Sequence, residues 1–192
     1  ISLLWLLHFL PFPVIAAIGQ GLGALVYGAG QGRTTRINLN LCFPHLSEAE
    51  RRRIARRHFR ALGQSALALG ILWWGSKERI QRLVKVENIE YALPYAERKQ
   101  ALICFTPHFV GLDFGGVRLS TEYRGAAVYS RQRNAFLDRL LKHARTRFGL
   151  TQVFARQDSL RPALRALKSG TPLYLLPDGD FGAAESIFVP FF

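Results

Sequence analysis

The stretch Thr106-Pro107-His108-Phe109-Val110-Gly111-Leu112-Asp113 holds the residue types from which a base is built. A carboxylate on one imidazole nitrogen fixes the tautomer and leaves the other nitrogen ready to take a proton. The spacing limits how His108 and Asp113 can meet. Residues five apart on one helix are rotated by about 140°, at roughly 100° per residue. The pair therefore closes only if His108 lies in a loop and Asp113 inside the helix that follows. Pro107 favours an extended predecessor, and Gly111 permits the break. The competing reading is a half-buried histidine with its own hydrogen bonds, beside an aspartate placed at a helix start by the dipole.

The elements around this stretch decide between the two. Residues 101–105 are a short apolar run bounded by Lys99-Gln100 and Thr106-Pro107, which reads as a buried strand. Further strand-like runs cover 126–129, 152–154, 172–176 and 187–189. Helix-like runs cover 110–120, 135–147 and 160–168, the last ending at Gly170. This alternation predicts an α/β fold with a mostly parallel sheet flanked by helices. Ligands in such sheets gather beyond the carboxyl ends of the strands. Three polar clusters fall there: Thr106-Pro107-His108, Ser130-Arg131-Gln132-Arg133-Asn134, and Pro177-Asp178-Gly179-Asp180. Arg131 and Arg133 suit a phosphate or a developing oxyanion.

Upstream, the chain divides into a hydrophobic anchor (1–32), a basic and amphipathic helical segment (33–83) and the α/β part (84–192). No charged residue occurs before Arg33. That length crosses a hydrocarbon core of about 30 Å, although Pro11, Pro13 and the glycines equally permit a broken helix lying in one leaflet. The arginines that follow place the downstream chain on the cytoplasmic side. Gly19-x-Gly21-x-x-Ala24 lacks the preceding strand and later acidic residue of a dinucleotide site, and reads as close helix packing in a membrane. Ser47-x-x-Glu50 is a capping box opening a helix that runs to about Trp74. Its arginine-rich start and tryptophan-tipped apolar end fit either a membrane interface or a core helix with a charged face. The net charge of +13 favours anionic partners. Cys42 and Cys104 are too isolated for a disulfide framework or zinc site, and read as buried free thiols in a reducing compartment. The lack of any methionine and the apolar end Pro190-Phe191-Phe192 suggest a piece of a longer protein.

No serine or cysteine has a base beside it in sequence, so the constellation suits general-base activation of an alcohol that attacks an activated acyl group directly. The pair His108-x4-Asp113 resembles the H-x4-D/E motif of membrane glycerolipid and lipid A acyltransferases. The surrounding sequence is most similar to the lipid A biosynthesis (lauroyl/myristoyl) acyltransferase family of Gram-negative bacteria. The motifs run through Asn38-Leu39-x-Leu41-Cys42-Phe43-Pro44, Arg57-His58-Phe59, Tyr129 with Asn134-Ala135-Phe136-Leu137-Asp138, Pro177-Asp178-Gly179-Asp180-Phe181-Gly182 and Phe188-Val189-Pro190-Phe191-Phe192. The resemblance implies a glycerolipid acyltransferase-like fold on the cytoplasmic side of the inner membrane. The expected reaction moves an acyl chain from acyl carrier protein to a hydroxyl of a lipid A precursor, without acyl-enzyme and without cofactor or metal. His108 is then the base, Asp113 its support, and Tyr129, Arg131, Arg133, Asp178 and Asp180 contact substrate. Membrane phospholipids are expected partners; nucleic acid is not. Relatives often carry Tyr-Arg-Pro where Tyr129-Ser130-Arg131 stands, which leaves the choice between Arg131 and Arg133 open. Runner-up readings are an acyltransferase acting on another membrane glycolipid, and a glycosyltransferase using Asp178-Gly179-Asp180 as a metal-binding D-x-D.

Overall fold

The computed structural model describes residues 1–179 and 182. The expected run at 187–189 and Asp180 lie outside the described residues. The charge-free segment is not one rod. Helix α1 (Ser2–Leu7) ends before Pro11, α2 covers Phe12–Val26, a π-helical turn covers Tyr27–Gln31, and α3 covers Arg33–Cys42. Pro11 and Pro13 set the break and the new start, since a proline fits a helix's first turn but not its interior.

Helix α4 (Glu48–Trp74) opens at the predicted capping box, with Ser47 and Glu50 satisfying each other's backbone N–H groups. It lies against α2 with very little between the backbones. A Cβ on Gly19 would sit 2.6 Å from the Cα of Gln64, and one on Gly23 or Gly63 would likewise overlap backbone of the facing helix. Gly19 thus meets α4 near residue 64 and Gly23 meets it near residue 59, so the two helices run antiparallel. Of the spaced small residues only Gly19 is at this contact. A Cβ on Gly21 would meet nothing within 4 Å and Ala24 is exposed, so the close packing is made by Gly19, Gly23 and Gly63 instead.

The carboxyl half of α4 is core. Ile71, Leu72 and Trp73 are buried together with Ile15 of α2, Ile80 of α5 (Lys77–Leu83), Val117 of α7 (Leu112–Leu119) and Ala144 of α8 (Ala135–Thr146). Trp73 is only 4% exposed, so that tip of the helix faces protein. Arg79 on α5 donates to the carbonyls of His8 and Leu10, tying the α1–α2 corner to the same body.

A 3-10 turn (Ile89–Tyr91) and α6 (Leu93–Glu97) lead into the sheet. Its strands are β1 (Ile103–Phe105), β2 (Gly125–Tyr129), β3 (Thr151–Ala155) and β4 (Leu173–Leu175), all parallel, in the order β1-β4-β2-β3. Helices α7, α8 and α9 (Arg161–Lys168) are the crossovers. Ala163 and Ala166 of α9 pack on Ala126 and Leu173 and cover one face. Strand β4 inserts between β1 and β2: Leu173, 3% exposed, pairs with Ile103 on one side and Ala126 on the other.

Both cysteines carry free thiols, but the expected burial holds only in part. Cys42 is exposed at the end of α3 and Cys104 is half-buried.

Candidate active site

The insertion of β4 beside β1 builds the site. Phe105 pairs with Leu175, so His108 and Asp178 each stand three residues past a matched pair. Two loops leaving adjacent parallel strands in step carry these residues to the same place. The His108 backbone N–H donates to Asp178 Oδ2 at 2.7 Å, and the imidazole Nδ1 lies 2.8 Å from Asp178 Oδ1. A carboxylate only accepts, so Nδ1 carries a proton, and in the neutral imidazole Nε2 is the nitrogen with the lone pair. Those two bonds, the backbone one first, hold the Asp178 carboxyl below the usual aspartate range. Nε2 has no partner among the described residues, and the side chain is 62% exposed.

The expected contact between His108 and Asp113 is not present. His108 does lie in the loop, and Asp113 in the first turn of α7. That helix starts only at Leu112, which turns Asp113 toward α8. There its Oδ1 accepts from Arg145 Nε at 3.0 Å and Nη2 at 2.7 Å. The pair closes a crevice between α4, α7 and α8 lined by Leu72, Trp73, Val117 and Ala144. The carboxylate on the imidazole is Asp178, which sequence spacing could not reveal because the partners are 70 positions apart.

The loop after β2 is organised by Asp138 of α8. The Tyr129 hydroxyl donates to Asp138 Oδ2 at 3.4 Å and the Gln132 N–H to Oδ1 at 2.8 Å. Asn134 caps α8, accepting from the N–H groups of Phe136 and Leu137. The two candidate arginines differ. Arg131 is spent on Asp158 in the loop after β3, Nη2 to Oδ2 at 2.7 Å, and that carboxylate raises its pKa. Arg133 is exposed and has no partner among the described residues.

The loop carrying His108 is fastened from behind. Ser65 of α4 donates to the Val110 carbonyl at 2.9 Å, one residue from Gln64, which accepts from Gln20 of α2 at 2.8 Å. A cavity of about 320 Å³ lies at the opposite, amino end of the strands, between α6, Leu102, Tyr174 and the segment 169–172. Burial pushes the Tyr174 hydroxyl there up to about 12.

Fold and site together define a parallel α/β protein whose strand ends present a carboxylate-held imidazole, behind which stands the closely packed pair of α2 and α4. The chain belongs to the bacterial lipid A biosynthesis acyltransferase family, whose model matches residues 1–192. It is 33% identical to the lipid A biosynthesis lauroyltransferase of Escherichia coli K12 over 194 aligned positions, 100% of this chain and 63% of the relative. It is 34% identical to a lipid A biosynthesis acyltransferase of Haemophilus influenzae, covering 100% of this chain and 61% of the relative. Identity to the lipid A biosynthesis myristoyltransferase of E. coli K12 is 32%, over 94% of this chain and 55% of the relative. The chain thus spans less than two thirds of the length of these relatives.

Proposed function

We propose that the protein transfers a fatty acyl chain from acyl carrier protein to a hydroxyl of a lipid A precursor, using His108 as general base. The observation that carries this reading is the imidazole itself, with Nδ1–H given to Asp178 and Nε2 open at the carboxyl end of the sheet. Family membership supplies the reaction class. Nε2 takes the proton of the acceptor hydroxyl as its oxygen attacks the donor's thioester carbon. The C–S bond then breaks, and the departing thiolate recovers the proton from the imidazolium, which Asp178 stabilises. Arg133 is the better placed of the two arginines to meet a phosphate of the glycolipid or the oxyanion, because Arg131 already holds Asp158. Tyr129, through Asp138, shapes the loop that presents Arg133. Asp113 supports the site at one remove by fastening α7 to Arg145.

With both Asp178 oxygens accepting from His108, that carboxylate faces the imidazole, which favours this reading over a D-x-D metal site. The test is transfer from an acyl carrier protein thioester to a tetra-acylated lipid A precursor by the full-length protein. His108→Ala should lower kcat by about 10²–10⁴-fold with the fold retained, the usual worth of a positioned base. Turnover at the wild-type rate would end the proposal.

A further inference from the structure

The described helix long and apolar enough to cross a membrane is residues 12–31, and only 22% of its most apolar window is buried. Its surroundings leave it no way across. Antiparallel packing sets residues 19 and 23 against 64 and 59 of α4, so the carboxyl half of α2 runs beside Arg60, Arg57, Arg56 and Arg53. Its amino half, through the wholly buried Ile15, shares a core with Ala68, Ile71, Val117 and Ala144. An upright α2 would bring four arginines into one half of the bilayer and the α/β body into the other. A single arginine at the bilayer centre is already strongly unfavourable.

The same helices expose an apolar surface. Val14, Ile18, Leu22 and Leu25 form an i, i+4, i+8, i+11 stripe along α2, with exposures from 43% to 70%. Leu3 and Leu6 of α1, Phe9 just after it, and Ile37 and Leu41 of α3 are exposed apolar side chains as well. Exposed arginines are carried by the neighbouring elements: Arg33 and Arg36 on α3, and Arg53, Arg56 and Arg57 on the part of α4 that runs beside the carboxyl half of α2. An apolar stripe with exposed guanidinium groups on the adjoining helices matches a leaflet with acyl chains inside and phosphates at its surface.

We infer that α1, α2 and α3 seat the protein within one anionic phospholipid leaflet, in the membrane plane, with no segment among residues 1–42 crossing the bilayer. This rests on the proposed function only in that its acceptor is a lipid, and on the expectation of membrane phospholipids as partners, and it specifies how the membrane is held. Because Gln20, Gln64, Ser65 and Val110 link α2 to the His108 loop, the leaflet lies one helix away from the imidazole.

The test uses full-length protein with Cys42 and Cys104 changed to serine, bound to phosphatidylglycerol–phosphatidylethanolamine vesicles. Nitroxide labels are placed singly at V14C, I18C, L22C and L25C, and their depth is read from oxygen and nickel-chelate accessibility. Equal, shallow depths along the stripe are expected. Depths running from one interface through the midplane to the other would overturn the inference and leave the acyltransferase reading standing. Labels in water throughout would overturn it too. In a second arm, the triple variant R53Q/R56Q/R57Q should bind these vesicles more weakly, by about fivefold per arginine, and phosphatidylcholine vesicles unchanged. Equal affinity of wild type and variant for the anionic vesicles would remove the arginines from the inference. Neither arm reads acyl transfer, so both can be run in the His108→Ala background.

Discussion

Asp178 and Asp113 stand close to one loop, and their partners give them different work. Asp178 orders the imidazole tautomer. Asp178→Asn presents an amide whose N–H₂ can face Nδ1 and reverse the tautomer, so kcat should fall at least about a hundredfold while the melting temperature holds. Asp113 instead joins α7 to α8, and its side chain is 35% exposed beside an Arg145 that is 29% exposed. With solvent screening, Asp113→Asn should lower stability by about 1 kcal/mol, a melting shift of about 2–4 °C for a chain of this size. The reverse pattern, a stable but inactive Asp113→Asn with an active Asp178→Asn, would return the base's support to Asp113. The pH behaviour follows from the Asp178 carboxyl, whose pKa in the fold lies below the ordinary 3.8. A lowered folded value means the link to His108 is complete above the ordinary value and fades as pH falls through the lowered one. The ¹³C carboxyl signal of Asp178 should therefore titrate below 3.8 in the wild type and move up toward it in His108→Ala, where only the backbone N–H remains. Sequence spacing showed a histidine at a strand-to-helix junction, but not its partner. Nothing local in Pro177-Asp178-Gly179 says which strand it will leave beside.

Elements were legible where periodicity and caps are local, and illegible where pairing is not. Ser47 and Glu50 start α4 where the capping box says, and Gly111, Asn134 and Gly170 bound helices near their predicted ends. The order β1-β4-β2-β3 depends on which neighbours Leu173 buries, a choice made by tertiary packing. Glycines told more. The contact of Gly19 and Gly23 with Gly63 fixes how near α2 lies to α4, and no side chain fits between. Gly63→Leu should force the helices apart and open the core around Ile15 and Ala68. The expected loss is about 1–3 kcal/mol, the range for overpacking a tight interior, read as a lower urea midpoint in detergent. Gly21→Leu, where a Cβ meets nothing within 4 Å, is the control and should not lower the midpoint, since leucine is the better helix former in the interior of α2.

At the scale of the whole molecule, charge and apolar surface are sorted rather than mixed. The +13 net charge belongs to a chain whose first charged residue is Arg33, so the field is carried by the body behind the apolar helices. The imidazole is built at the strand ends, and the apolar helices are bolted to the same body through α4. The described hydrogen bond that reaches from α4 to the His108 loop is Ser65 to the Val110 carbonyl. That bond fixes the loop whose other end carries His108, and a loop held at both ends presents Nε2 in one place. Ser65→Ala removes the donor and leaves the α2 stripe and the arginines untouched. One lost hydrogen bond of ordinary strength is worth about 1 kcal/mol, so acyl transfer should fall by about fivefold. Amide exchange from Phe109 to Gly111 should quicken in parallel, and affinity for anionic vesicles should stay at the wild-type value. If exchange and turnover in Ser65→Ala match the wild type, the loop is held by the His108–Asp178 link alone, and the helix pair serves the membrane without steadying the base.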